Sequence, residues 1–509
     1  MASAERLLVG AIDQGTSSSR FLVFDGATGQ VVTLRQREVT QLYPADGCVE
    51  MDPLEMLATT LECMESACEN LAELGYGSDQ VKTVGITNQR ETTIVWDKTT
   101  GEPLHPAIVW LDARTAALAE ELTNRLETKN KEAFKPVCGL PIHPYFSALK
   151  LKWMVDNVPR VKESVDRGSA LFGTVDSWLI WKLTSGASHV TDVSNASRTM
   201  LMNLKTLQWD QGMLEFFGVS RDMLPQIRSS SEVYGKIARG PLKDVPIAGC
   251  LGDQQSALVG HLCLEVGSAK NTYGTGTFLL CNTGTEAVQS KHGMLTTVAF
   301  QLGPQQPCHY ALEGAGSMGG TAVRWLRDGL GIIKSAAEVE ALASSVADNG
   351  GVYFVPAFSG LFAPYWDPSA RGTLCGLTQD STAGHLARAT LEAVCFQTAE
   401  MVEAIQRDSG ARLSEIKADG GMTSNSLLLQ TQADLLGVDV TRPDFAETTA
   451  FGAAVAAGLA MGIWDVETLR KNRPRFVRFQ SQKDDKWRDD RMNRWKDAVR
   501  RSLGWAPSS

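Results

Sequence analysis

Asp13-Gln14-Gly15-Thr16-Ser17-Ser18-Ser19-Arg20 interrupts an apolar stretch that runs from Leu7 to Ile12 and resumes at Phe21 to Phe24. The pattern predicts a strand, a tight turn and a second strand. Gly15 lets the backbone turn sharply and come close to an oxyanion. The hydroxyls and N–H groups around it then form a ring of donors for a phosphate. Asp13, at the end of the first strand, is the natural carboxylate for a hydrated magnesium carried by that phosphate. The same octapeptide also reads as a Ser/Thr-rich surface turn, and the choice depends on the rest of the chain.

Ala269 to Cys281 repeats the arrangement, with Asn271-Thr272-Tyr273-Gly274-Thr275-Gly276-Thr277-Phe278 between apolar flanks. A second theme, a strand closed by Gly or Asp and followed by a helix, occurs at Val245 to Gln255 and again at Ile416 to Asn425. The chain therefore reads as two halves on one plan, 1–260 and 261–509, with the boundary near Gly260 and no long linker. A nucleotide lying between such halves meets a phosphate turn and a strand-to-helix corner from each. Hinge closure of the halves would exclude water from a transferable phosphoryl group.

With 509 residues, 43% of them hydrophobic, the chain can bury a large core. A formal charge of -9 argues against a nucleic-acid surface, which needs concentrated Lys and Arg. In the one arginine-rich stretch, Arg470 to Arg501, acidic residues interleave while Met492, Trp495 and Val499 share a helical face. This predicts an amphipathic C-terminal helix docked on the body. Met1 to Arg6 has no apolar core of a signal peptide, and Phe451 to Trp464 is too short to span a bilayer. These features predict a cytoplasmic protein without an integral membrane segment. The ten cysteines form no C-x-x-C pair, so buried free thiols are expected rather than zinc or a redox dithiol.

Asn88-Gln89-Arg90-Glu91 follows the apolar strand Val81 to Ile86 and sets a guanidinium beside a carboxylate at a strand end. Such a pair can hold vicinal hydroxyls, or form an ordinary surface ion pair. Tyr145 to Asn157 (YFSALKLKWMVDN), together with Gly372 to Leu377 (GTLCGL), His385-Leu386 and Ala389 to Glu392 (ATLE), carries a specific likeness. In these two long segments the chain resembles the FGGY family of carbohydrate kinases, and within it the glycerol kinases, from Asp13 to beyond Gly452. The resemblance implies an α/β fold of two actin-like (Hsp70/sugar kinase, ribonuclease H-like) domains with ATP and magnesium in the cleft. It implies ATP-dependent phosphorylation of glycerol to sn-glycerol 3-phosphate by a homodimer or homotetramer, in glycerol catabolism and glycerolipid precursor supply.

In that resemblance Arg90 and Glu91 match the glycerol-binding pair. Tyr145, Asp253 and Gln254 match further hydroxyl contacts, and Trp110 and Phe278 match an aromatic wall. Without it, Trp110 and Phe278 read as core aromatics and Asp253 as a helix N-cap. Asp253 is the expected general base, since a carboxylate within hydrogen-bond reach can orient a primary alcohol and take its proton. Thr16, Ser17, Ser18 and Arg20 would serve the phosphates, with Asp13 at the magnesium and Thr275 facing them from the other half. Gly320, Arg324, Gly421 and Asn425 match the remaining nucleotide contacts, although Arg324 stands where many members place a glutamine.

Gly314-Ala315-Gly316-Ser317-Met318-Gly319 spells a dinucleotide fingerprint, but the following segment, Lys334 to Val346, reads as a helix. The next strand, Val352 to Val355, ends in Pro356 rather than an acid, so the fingerprint fails its context. Gly235 to Asp244 lacks the Gly/Arg loop by which some bacterial relatives bind a sugar bisphosphate, so inhibition by that effector is not implied. Two other readings stay open: an FGGY kinase for a pentulose or longer polyol, and a non-phosphorylating actin-like ATPase.

Overall fold

The computed structural model describes residues 6–316, 318–410, 412–471 and 475–506. Residues 1–5 of the amino-terminal reading, Ser317 of the dinucleotide-like motif and residues 472–474 of the basic stretch lie outside them. Strand β1 (Leu8–Gln14) is buried throughout and pairs antiparallel with β2 (Ser18–Asp25), setting Asp13 opposite Arg20. Gly15 N–H closes on Ser18 O at 2.9 Å. The turn is thus Gly15-Thr16-Ser17, shorter than the sequence suggested. Ser19 and Arg20 are captured by this ladder and Ser18 by pairing with Glu38 of the next strand, and Ser19 is further tied to Thr59 by a 2.9 Å hydroxyl pair.

With β3 (Val31–Glu38), β4 (Val81–Asn88), β5 (Gly235–Lys236) and β6 (Pro246–Gly252), the first sheet runs β5-β6-β4-β1-β2-β3. The second is built from β7 (Ala269–Tyr273), β8 (Thr277–Gly284), β9 (Leu295–Phe300), β10 (His309–Gly316), β11 (Glu415–Asp419), β12 (Asp439–Pro443) and β13 (Phe476–Phe479). Its order is β9-β10-β8-β7-β11-β12-β13. Without the extra edge strands, both sheets read third-second-first-fourth-fifth in their own count. Strands one to three are antiparallel, and strands one, four and five are parallel.

The duplication is therefore real, but one pairing inferred from sequence needs correction. β6 lies fifth in its sheet, whereas the strand of the Ile416 corner, β11, lies fourth. The topological partner of β6 is β12, and that of β11 is β4. The two corners look alike because each turns from a parallel strand end toward the same cleft.

The lobes also exchange the helices that follow their fifth strands. After β6, helix α2 (Asp253–Gly260) packs beneath the second sheet, while after β12 the helix α6 (Thr448–Ala460) lies on the first. Their contact is so close that a Cβ on Gly452 would stand 1.8 Å from Ser256 O. Val9, Ala11 and Leu22 of one sheet and Leu280, Ala299 and Ala311 of the other share a core with Ala450, Ala453 and Ala457 of α6.

Further helices are α1 (Pro53–Glu73), α3 (Gly320–Asp328), α4 (Ala383–Ser409), α5 (Ser426–Leu436) and α7 (Asp485–Ser502). α7 is the expected amphipathic element, with Trp495 stacked on Phe396 at 5.1 Å. It is shorter than the basic stretch, which also supplies the end of the helix Val466–Lys471 and edge strand β13. Among the described residues no disulfide forms, and of the ten cysteines Cys48, Cys308 and Cys375 are only half-buried. Among the described residues no helix is long and apolar enough to cross a membrane.

Candidate active site

β4 runs parallel between β1 and β6, so Gln89 to Glu91 leave its C-terminal end beside the start of α2. Arg90 and Glu91 are buried, 2% and 1% exposed, and each has a partner of its own. Arg90 makes a bidentate pair with Glu313 of β10, Nη1 to Oε2 at 2.7 Å and Nη2 to Oε1 at 2.8 Å. Glu91 holds a left-handed backbone, φ 60°, that non-glycine residues seldom adopt, and accepts from Arg198 Nε at 2.6 Å. A surface ion pair between Arg90 and Glu91 is thereby excluded.

Arg198 also lies 3.3 Å from Glu313 and over the Tyr145 and Phe146 rings at 5.7 and 5.4 Å. Burial alone would raise the Glu313 carboxyl, but Arg198 and Arg90 hold it down at about 2. Burial raises Glu91 despite both guanidiniums. Breaking such a network strands a buried charge, so it holds its members in place.

Asp253 is the first residue of α2, with Gly252 as N-cap. This corrects the N-cap reading: its Oδ1 accepts from Gln254 N–H at 2.7 Å, within the first turn. The same oxygen lies 3.3 Å from Arg90 Nε, and the side chain remains 30% exposed. Burial raises the Asp253 carboxyl, opposed by Arg90 and Lys270. Beneath it, Gly252 N–H donates to Ser194 Oγ at 2.9 Å, and Ser194 Oγ donates to Asp192. Asp192, Asp176 and Cys250 form a buried cluster, but hydroxyl and amide donors already engage both carboxylates. It therefore braces the corner.

Trp110, Tyr145 and Phe278, distant in sequence, meet edge to face, with Trp110 5.7 Å from Tyr145 and 6.0 Å from Phe278. Trp110 Nε1 donates to Thr16 Oγ1 at 2.9 Å, joining this wall to the first hairpin. Lys150, inside the first signature segment, donates to the carbonyls of Pro144 and Tyr145 at 2.8 and 2.6 Å and so fixes the Tyr145 loop. Burial lowers its ammonium to about 7.

Thr275, Gly320, Arg324, Gly421 and Asn425 line one cavity of about 610 Å³. Asn425 caps α5 through Oδ1, which accepts from Leu428 N–H at 2.8 Å, while among the described residues its buried Nδ2 has no hydrogen-bond partner. The second hairpin is stapled to α3 by Gly320 N–H to Gly274 O at 2.8 Å and Gly319 N–H to Thr275 O at 2.9 Å.

Arg20 is placed differently, in an adjoining cavity of about 570 Å³ with Asp419, Gly420 and Glu447. The two cavities share Gly421 and Ser424. Arg20 lies 3.6 Å from Asp13 and 3.1 Å from Glu447. Burial pushes the Asp13 carboxyl up to about 7, with Arg20 opposing and Glu447 and Asp253 adding. Ser17 is exposed at the hairpin tip and Thr16 half-buried, whereas Ser18 is buried in β2. Burial disfavours the ionised form of this carboxyl, and a hard cation bound beside it would restore that form.

Sequence reading missed Arg198, Glu313, Gln255 and Lys270. Gln255 accepts from Arg90 Nη1 at 3.3 Å, and Lys270 Nζ donates to Gln254 Oε1. A charged residue at an inward position of an apolar strand, as at Glu313 and Lys270, was the available signal.

The model of the FGGY family of carbohydrate kinases, N-terminal domain, matches residues 8–260, and that of its C-terminal domain matches 269–461. A probable glycerol kinase of Caenorhabditis elegans is 53% identical over 502 residues, covering 98% of this chain and 100% of the relative. A crystal structure of Plasmodium falciparum glycerol kinase with ADP superposes with a TM-score of 0.90 at 36% identity, covering 98% of each chain. Ligand-bound xylulose kinase from Lactobacillus acidophilus shares the fold, with a TM-score of 0.82 at 20% identity over 97% of this chain and 96% of that one.

Proposed function

This chain belongs to the FGGY family of carbohydrate kinases, and on that premise we propose that it transfers the terminal phosphoryl group of ATP to a primary hydroxyl of glycerol, giving sn-glycerol 3-phosphate. The observation that carries the reading is the placement of Asp253, half-open between buried Arg90 and Lys270 at a strand-to-helix corner. Arg90, Glu91, Tyr145 and Gln254 supply hydroxyl partners, and Trp110 and Phe278 an apolar wall for the carbons. Asp253 accepts the hydroxyl proton as the oxygen attacks phosphorus. Transfer through a loose transition state draws its acceleration from alignment and charge neutralisation.

The cavity lined by Thr275, Gly320, Arg324, Gly421 and Asn425 takes the adenosine, with the Asn425 Nδ2 donor for a base nitrogen. Thr16, Ser17, Ser18 and Arg20 attend the phosphates, and Asp13 would hold a magnesium ion, which would supply charge neutralisation for the transferring group. The buried Asp13 carboxyl at the end of β1, beside the hairpin, and the family membership support this assignment. A cytoplasmic homodimer or homotetramer belongs to the same proposal.

The test is ADP release with magnesium-ATP against glycerol, dihydroxyacetone, erythritol, xylulose and ribulose. Glycerol is expected to give the highest kcat/KM. A preferred pentulose would transfer the site to a ring-forming sugar, and turnover without any acceptor would make the protein an ATPase.

A further inference from the structure

We propose that Lys270 is a positioning residue that fixes the hydrogen-bonding polarity of Gln254 and so decides how the site grips a polyol hydroxyl. The inference rests on the reading of the cleft beside Asp253 as the acceptor site. Lys270 lies on β7 of the C-terminal lobe, fully buried, and reaches the first turn of α2 from the opposite half. Its Nζ donates to Gln254 Oε1 and, at 2.8 Å, to Thr272 Oγ1.

An ammonium has three donors and no acceptor, so the amide must turn its carbonyl toward Lys270. Nε2 is then directed away, and among the described residues it donates to no protein atom. Gln254 directly follows Asp253, and its backbone N–H on Asp253 Oδ1 at 2.7 Å holds carboxylate and amide together. A hydroxyl meeting both therefore accepts from Gln254 Nε2 and gives its own proton to Asp253. With the amide reversed, two acceptors would compete for one hydroxyl proton, and the oxygen would lose its donor.

Asp253, Asp419, Arg90 and Glu313 face the ammonium, and burial lowers it only to about 8, so it stays charged near neutrality. The contact joins α2, which follows β6 of the first sheet, to β7 of the second, so acceptor polarity depends on segments from both halves of the chain.

Steady-state kinetics on wild type, Lys270→Met and Gln254→Glu, with glycerol and with 1,2- and 1,3-propanediol, tests the inference. Both substitutions are expected to raise glycerol KM about tenfold while kcat at saturating glycerol changes little. Both should also narrow the preference for glycerol over a propanediol lacking one hydroxyl. An unchanged glycerol KM in a Lys270→Met protein that still binds ADP overturns the inference, as does a loss confined to kcat, which would put Lys270 on the transferring phosphoryl. Should Lys270→Met not fold, Gln254→Glu decides. It keeps the acceptor for Lys270 and removes the amide donor, so a wild-type KM there overturns the proposal. If the wild type phosphorylates glycerol, these failures touch Lys270 and the Gln254 contact and leave the reaction in place; if it does not, the reading of the site falls and this inference with it.

Discussion

The acceptor side and the nucleotide side of the cleft are built by opposite means. Around Asp253, charged side chains from both lobes hold one another in a buried network, and Arg90 is gripped by a residue 223 positions away. Around the cavity of about 610 Å³, the surface comes from short local pieces spread between residues 274 and 425: the turns at Gly274-Thr275 and Gly421, the helix cap Asn425 and the face of α3. A small polyol offers few atoms, so discrimination has to come from fixed polar groups whose geometry the protein imposes. A nucleotide is large and carries phosphates that backbone N–H groups can meet, so local turns suffice. Perturbing the first region should therefore cost catalysis and stability together, and perturbing the second should cost nucleotide affinity alone.

The largest effect expected is at Asp253. Asp253→Asn keeps the shape and the Gln254 contact but cannot take a proton, so kcat should fall about a thousandfold, with ADP affinity by calorimetry little changed. Near-normal turnover would remove the general-base assignment. Next comes Glu313→Gln, which leaves Arg90 and Arg198 without their shared counter-charge. Urea denaturation should show a loss of about 3 kcal/mol, accompanied by a raised glycerol KM. Unaltered stability would mean that the acceptor side is not held by charge, and the contrast would dissolve.

The join between the regions offers a purely steric test. Gly452→Ala puts a methyl against Ser256 O, and separation of α2 and α6 should cost about 2 kcal/mol, visible as a lowered Tm. On the nucleotide side the effect should be smaller and narrower. Asn425→Asp keeps the helix cap and loses only the Nδ2 donor, so ATP KM should rise about fivefold while Tm holds. A fallen Tm there would show that the cavity wall, too, depends on a wider network.

The smallest effect concerns Asp13. Its folded-state pKa is raised to about 7 by burial, so the folded protein binds this proton more tightly than the unfolded chain. The stability it confers is full below the unfolded carboxyl pKa and is lost as pH rises through about 7. Asp13→Asn, permanently neutral, should therefore raise Tm more at pH 8 than at pH 5, measured by thermal shift without nucleotide or magnesium. Equal gains at both pH values would show that the carboxyl is not strained.

Much of the nucleotide side was legible from residue order because its parts are local. A glycine between two apolar strands predicts a hairpin, and Gly420-Gly421 followed by Asn425 predicts a strand end turning into a helix. These depend on backbone sterics and hydrogen bonds between near neighbours. The doubled plan was legible for the same reason, although the matching of corners was not, because strand order is a property of the sheet. Reading the hairpin as eight residues failed where cross-strand pairing drew Ser18 to Arg20 into β2.

The sequence by itself settled the family, the two-lobed plan and the residue types at the strand ends. Only the tertiary structure decided the pairing: Arg90 with Glu313, Glu91 with Arg198, and Lys270 with Gln254. A hairpin is specified by the torsional preferences of a few consecutive residues. A buried charge finds its partner only after two lobes have closed around it and excluded the water that would otherwise solvate both.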